Sequence, residues 1–404
     1  MHATPYTKQE RANWQEMLAP ASKPILGVAA TLFLFSAIAI PLSHVASVAK
    51  LYLMVAAIAY LIVSRSFVSV LALALPGVLL FGAAYFIFPL PLVLPTVYVA
   101  IMIGTVSGAF LLIHNRTAKK STLFALLAVA AYLIPWLLTN DPLTALTALI
   151  PAVVALVLGL CLLWGKPLTT SVILVGATLG ALAIVASLLA LAVFGFPKDG
   201  LAAGLVALVR EGIRTYFNNV MALYEDTVTA AGGTSLYGSM LEITSLSEHA
   251  LREYAAAIAN LLPGMFVALA LTAAYGMWRI LLRTLRAAKT LSKFPKRFET
   301  LTVSAIGAGI FMATYVFYLL AGNTLFGLVC FNVSIVLTPA LALVGFLSLL
   351  SPGKARSCLS LLLAFGIVFL LMQNLVLGLS LAAFVGAFHT LLSRFMPPYN
   401  KGES

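Results

Sequence analysis

The sequence predicts an all-α fold: a polytopic transmembrane helix bundle of about 12 spans, with an amphipathic helical insertion on the extracytoplasmic side. Three observations predict it. The 404-residue chain is 62% hydrophobic and 9% charged, with a mean hydropathy of +1.07. A soluble domain carries about 25% charged residues, so too few are present to cover a water-facing surface. The apolar residues come in runs of roughly 20, the length a helix needs to cross a hydrocarbon layer of ~30 Å. The Lys and Arg residues behind the formal charge of +12 lie in short stretches between those runs. In a soluble chain that charge would suggest nucleic acid. Placed here it reads as topology, because cytoplasmic loops concentrate Lys and Arg, and nucleic acid is not expected as a partner.

Residues 1–23 read as a polar cytoplasmic tail with Lys8, Arg11 and Lys23, and Trp14 and Met17 suggest a short interfacial helix. A long polar opening of this kind is not a cleavable signal. Residues 24–196 read as an N-terminal transmembrane bundle. Its spans run from about Ile25 to Ile40 and from about Val45 to Val63, followed by two in the uncharged stretch 66–115, which is broken at Phe88-Pro89-Leu90-Pro91. Three more cover about Thr122–Leu138, Leu143–Trp164 and Thr169–Phe194, with Asn140-Asp141-Pro142 as a turn.

Residues 197–257 change character. Most of the acids are here, including Glu225 and Asp226, and Leu201, Leu205, Leu208, Ile213, Phe217, Val220 and Tyr224 repeat at roughly helical spacing. Ser245 with Glu248 reads as a capping box opening a second helix, which leads into a span kinked at Pro263-Gly264. Residues 258–404 read as a C-terminal bundle. An apolar run from Ile258 to Trp278 and another from Leu301 to Leu320 flank a basic cytoplasmic loop, 279–297. That loop holds Arg279, Arg283, Arg286, Lys289, Lys293, Lys296 and Arg297 and no acid. A span ending near Leu350 follows a turn at Gly322-Asn323, and Gln373-Asn374 divides the last pair.

Threaded from a cytoplasmic N-terminus, 19 of the 24 Lys and Arg residues fall inside and 5 outside. The expected topology therefore has both termini in the cytoplasm and the acidic insertion outside. The basic loop would also be drawn to an anionic inner leaflet or to a partner protein.

No Asp or Glu lies within a predicted span. Ionisable groups in hydrocarbon cost roughly 2.5–3.5 kcal/mol each and are kept mainly for function. Their absence argues against ion-driven carriers and intramembrane aspartyl or metal-dependent proteases. No Walker loop, nucleotide-binding fingerprint, nucleophile elbow or paired-histidine zinc motif is present, so neither an enzyme nor a cofactor is expected, and transport could not be energised by this chain alone. Cys161, Cys330 and Cys358 show no metal or redox spacing. Gly104-x-x-x-Gly108 and Gly176-x-x-x-Gly180 read as packing faces. The candidate polar pocket is made of uncharged groups: Asn332, Thr338, Gln373 and Asn374, with Asn323 at the outer face. Amides in a bilayer need partners, supplied either by neighbouring helices or by a small neutral solute.

The C-terminal half carries a resemblance. An extracytoplasmic amphipathic segment precedes Leu261-Leu262-Pro263-Gly264-Met265-Phe266. A basic loop and a span follow, then Asn332 leading to Ala340-Leu341-Ala342-Leu343-Val344-Gly345-Phe346, and a final apolar pair ending in Ser393-Arg394-Phe395. In this layout the chain resembles the YybS-like family of bacterial polytopic membrane proteins, a domain of unknown function. That family is loosely similar to substrate-capturing components of vitamin transporters. The resemblance implies a bacterial cytoplasmic membrane and solute handling, with the bilayer, a small neutral solute and an energising subunit as partners. The alternative expectation is a non-transporting scaffold or assembly partner of another membrane complex.

Overall fold

The computed structural model describes residues 23–43, 45–64, 93–117, 122–194, 210, 248–289, 296–350, 358–373 and 375–395. Every regular element among them is a helix: α1 (Lys23–Ala39), α2 (Ala46–Ser64), α3 (Val93–Thr117), α4 (Thr122–Thr139), α5 (Pro142–Thr147), α6 (Ile150–Leu163), α7 (Leu168–Phe194), α8 (Glu248–Ala287), α9 (Lys296–Glu299), α10 (Ala305–Ala321), α11 (Leu325–Leu350), α12 (Cys358–Gln373) and α13 (Leu375–Phe395). Among the described residues, seven helices are long and apolar enough to cross a membrane, and α10 is a shorter apolar helix. The surface is apolar as well: Ile306, Leu320, Leu325 and Phe365 are each at least 75% exposed. Such a surface would aggregate in water and is at home in lipid.

The helix ends follow local chemistry. Asn140 (φ 51) ends α4 in the left-handed conformation, and Thr139 Oγ1 donates to the Pro135 carbonyl at 2.8 Å. Gly165 (φ 65) ends α6, with the Lys166 amide donating back to the Cys161 carbonyl at 2.9 Å, the six-to-one bond of a Schellman turn. Ser304 caps α10 by accepting from Gly307 N at 3.0 Å, and Thr324 caps α11 by accepting from Gly327 N at 3.1 Å.

The span expected over Leu143–Trp164 is there as α5 and α6, apolar enough over Ala145–Leu163 to cross a membrane, with a turn before Pro151, whose ring has no N–H and crowds the preceding turn. Two expectations need correcting. The span expected from Leu301 begins only at Ala305, with Ser304 as its cap. Finally, the basic stretch is not a loop until after Ala287: α8 runs unbroken over 40 residues, and Arg279, Arg283 and Arg286 are its last turns. Nothing between Trp278 and Ala287 breaks a helix, and Trp278, Leu281 and Leu285 are fully buried at helical spacing. The span expected before Pro89 lies outside the described residues, as do the insertion 197–257 apart from Arg210 and the 248–257 start of α8, and residues 1–22 and 396–404 of the polar tails.

The chain divides into two compact units. The first comprises Met1–Lys166, Ala181–Ala259 and Gly276–Phe294. Its centre is α3, buried on every face from Met102 to Leu111. Glycine allows this. A Cβ on Gly104 would come within 2.9 Å of Ser36 Cβ and 3.0 Å of Pro151 Cβ, and one on Gly108 within 2.8 Å of Ala155 Cβ and 2.9 Å of the Phe33 ring. One small-residue face thus receives α1 and α6 together. The register also gives directions: 104 and 108 meet 36 and 33 on α1, so those helices are antiparallel. They meet 151 and 155 on α6, so that pair is parallel. Ser36 Oγ donates to the Leu32 carbonyl at 2.7 Å, so its 2.8 Å contact with the fully buried Tyr52 must have the phenol as donor.

The second unit comprises Pro167–Gly180, Asn260–Tyr275 and Pro295–Ser404. Its core gathers Ala308, Phe311, Leu341, Ala342, Ile367, Ala382, Ala383 and Ala387. Here α11 and α13 cross backbone to backbone. A Cβ on Gly345 would overlap the Ala382 carbonyl, and one on Gly386 the Leu341 carbonyl. Phe384 stands edge-on to Tyr315 (4.7 Å) and Phe311 (5.2 Å) beside the crossing. Gly176 receives Leu271, whereas Gly180 faces open space, so only half of that glycine pair packs.

Candidate functional site

The most organised polar feature lies in the second unit, where α8 carries Pro263 and Gly264. Proline donates no hydrogen bond and crowds the carbonyl one turn back, so a helix loosens there. In lipid the loosened backbone groups need partners from within the protein. Asn332 of α11 bonds to the pair of backbone groups next to the proline. Its Oδ1 accepts from Gly264 N at 2.7 Å, and its Nδ2 donates to the Asn260 carbonyl at 2.8 Å and to Leu328 O at 2.9 Å. Gly264 N and Asn260 O form one i→i−4 pair of α8. The carboxamide presents an acceptor to the first and a donor to the second, as a peptide unit would. Both amide hydrogens are engaged, and one lone pair of Oδ1 is left.

Gly264 makes the approach possible. A Cβ there would stand 2.6 Å from Asn332 Oδ1, 2.9 Å from its backbone oxygen and 3.0 Å from its Cα. Asn332 is the eighth residue of α11, about 10 Å from the start of that helix, and Pro263 opens the apolar segment of α8. The junction therefore lies toward the start of the apolar segments of both helices.

Of the other expected pocket residues, Thr338 and Asn323 are not drawn in. Thr338 Oγ1 donates to Ser334 O at 2.8 Å within its own helix, and buried Ser334 donates to Phe331 O at 2.7 Å. Asn323 is exposed in the turn between α10 and α11. Asn374 and the side chain of Gln373 lie outside the described residues. Of the basic set, Arg279 is half-buried while Arg283, Arg286 and Lys289 are exposed; Lys289 takes φ 54 as the left-handed end of α8. Lys293 and the side chains of Lys296 and Arg297 lie outside the described residues.

A cleft in the first unit encloses about 50 Å³ between α1, α2, α3 and the end of α8. That is room for a few waters, far below the roughly 300 Å³ of a small-molecule pocket. Among the described residues no cluster of three His, Cys, Asp or Glu side chains is placed to hold a metal.

The junction between Asn332 and the Pro263 break was reachable from sequence only as two separate signals, a Pro-Gly pair in one apolar run and a lone amide in another. Nothing in the spacing joined them. The apolar helices and this polar seam are features of an α-helical membrane protein with several helices able to span. No protein-family model matches the chain, and neither does any curated protein or solved structure.

Proposed function

We propose that this is a YybS-like multi-pass protein of a bacterial cytoplasmic membrane that handles a small neutral solute, without an ATPase, a coupling carboxylate or a catalytic site of its own. In this reading the chain makes twelve crossings, both termini are cytoplasmic, and residues 197–257 lie outside above the helices. The observation that carries it is the Asn332 amide against the Pro263–Gly264 turn, where α8 stays helical but has a proline inside it. Helices weakened near the bilayer midplane are a recurring means of lining a solute path. A neutral solute bearing an amide or hydroxyl offers the same donor and acceptor as Asn332 and can compete for Gly264 N and Asn260 O. The antiparallel α1–α3 pair and the parallel α3–α6 pair support the alternation assumed in the twelve-span path.

The test is a thermal-stability screen of the purified protein in lipid nanodiscs against neutral polar solutes. The expected outcome is a stabilising solute whose effect grows in Asn332→Ala, where its competitor for Gly264 N and Asn260 O is gone. Finding no such solute, or one that acts equally on the variant, rejects the reading.

A scaffold role is the second reading, favoured by the backbone-to-backbone crossing at Gly345 and Gly386, which leaves no space between those helices. It predicts a membrane protein that co-purifies in detergent and is lost when the seven basic residues from Arg279 to Arg297 are neutralised.

A further inference from the structure

The carboxamide of Asn332 occupies the turn beside Pro263 with three hydrogen bonds, and its neighbours fix their direction. Gly264 N can only donate, whereas Asn260 O and Leu328 O can only accept. Gly264 N and Asn260 O are neighbours on one helix, so they meet one edge of the carboxamide, its oxygen and the N–H on the same side. The second N–H, trans to the oxygen, returns to Leu328 on α11.

That edge selects chemistry. A carboxylate would set an oxygen against the Asn260 carbonyl, and an ammonium would set a proton against the Gly264 N–H, so an ion of either sign leaves one group opposed. An open-chain secondary amide is trans and carries its N–H and C=O on opposite edges, and turning it cis is strongly unfavourable. A hydroxyl has a single oxygen for both partners. A primary carboxamide carries the required pair, and so does a ring amide locked cis, such as a lactam or an imide.

The pair is within reach of a solute. Asn260 is exposed and Asn332 half-buried, whereas Gly264 is buried. A solute arriving at the Asn260 side meets the carbonyl first and replaces Asn332 group for group. Gly264 leaves room for the incoming oxygen, since a Cβ there would stand 2.6 Å from the place held by Asn332 Oδ1.

We propose that this site takes a neutral primary or cis-locked amide, bound by Gly264 N and Asn260 O in place of the Asn332 carboxamide. The assignment rests on the solute-handling function proposed above and narrows it to one chemical class.

The test is thermal unfolding of the full chain in lipid nanodiscs with graded formamide, the group that Asn332→Ala deletes. N-Methylformamide, methanol and sodium formate are the comparison solutes. General solvent effects are removed by reference to Asn332→Leu, which fills the same space without a polar atom. Should that variant fail to fold, Asn332→Ala combined with Gly264→Ala replaces it, the added methyl taking the place of the amide oxygen. Formamide should stabilise Asn332→Ala against the reference. Wild type should need about fivefold more, the fold-change equivalent to ~1 kcal/mol of displaced interhelical hydrogen bonding. The other three solutes should leave both proteins level with the reference.

Methanol or N-methylformamide acting as strongly as formamide overturns the amide assignment and leaves a neutral-solute site standing. Formate acting as strongly overturns both. So does formamide acting on Asn332→Ala but at no concentration on wild type, since it would then fill an artificial gap and displace nothing. No effect of any solute on either protein also rejects both.

Discussion

Asn332 Oδ1 lies 2.7 Å from the backbone nitrogen of Gly264, and the same carboxamide donates to the carbonyl of Asn260 four residues earlier. One side chain of α11 is thereby inserted at the loosened turn of α8. Its removal has a bounded cost, because Gly264 N and Asn260 O can still bond to each other along the helix. Interhelical polar contacts in membranes average about 0.6 kcal/mol and reach ~1.7. Asn332→Ala should therefore lower stability by about 1 kcal/mol, read by reversible denaturation in mixed micelles. A loss above ~3 kcal/mol would mean that the backbone pair cannot close unaided.

Gly264→Ala should cost more than the loss of the amide. The added methyl meets the backbone of Asn332 as well as its side chain, so the helices must part, and overpacking of this kind costs typically ~1–3 kcal/mol. Combining it with Asn332→Ala should give less than the sum of the two, since the 2.6 Å contact with Oδ1 disappears. Strict additivity in the same denaturation assay would show that the two residues do not meet.

The crossing of α11 and α13 gives a paired test on glycine. Gly386→Ala drives a methyl into the Leu341 carbonyl, whereas a methyl on Gly366 of α12 meets nothing within 4 Å. The first should destabilise by at least ~1–3 kcal/mol. The second should stabilise by about 0.5–1 kcal/mol, because alanine loses less backbone entropy than glycine in a helix. Equal effects would place the helices further apart than the crossing requires.

How much of this was legible beforehand follows from what a periodic pattern can report. Apolar runs bounded by Pro, Asn-Asp-Pro or Gly-Asn announced the helices, and the ends at Asn140, Gly322 and Gln373 came out within a residue or two. The basic stretch misled because positive charge marks the side of the membrane and not the end of a helix. Arg279 and Arg283 have long aliphatic stems and good helix propensity, so α8 continues through them. Gly104 and Gly108 could be read as a close-packing face but not as one shared by two helices, since spacing along one chain names a face and never its neighbour. Asn332 suffered the same limit. It was singled out as an amide needing a partner, and its partners are Gly264 N and Asn260 O, beside a proline 69 residues earlier in the chain.

The buried Ser36–Tyr52 pair predicts an asymmetry. In Tyr52→Phe the serine still donates to Leu32 O, so only a hydrogen bond of roughly 0.5–1.5 kcal/mol is lost. In Ser36→Ala the phenol is stranded at 0% exposure and loses its acceptor, at about 1–3 kcal/mol. Ser36→Ala should thus be the more damaging change although each removes a single oxygen. The reverse order would assign the proton in this contact to serine.

The proposed orientation is tested at the two ends of the α10 region. Lys289 and Asn323 are both exposed turn residues, and α10, about 25 Å long at 17 residues, lies between them in the chain. If basic residues mark the cytoplasmic side, a cysteine at Lys289 should react with an impermeant thiol reagent only after cells are opened, and one at Asn323 should react in intact cells. Cys161, Cys330 and Cys358 are first replaced so that the signal has one source. Labelling of both positions in intact cells would remove α10 as a crossing. The opposite pattern would invert the whole path, carrying residues 197–257 to the cytoplasm.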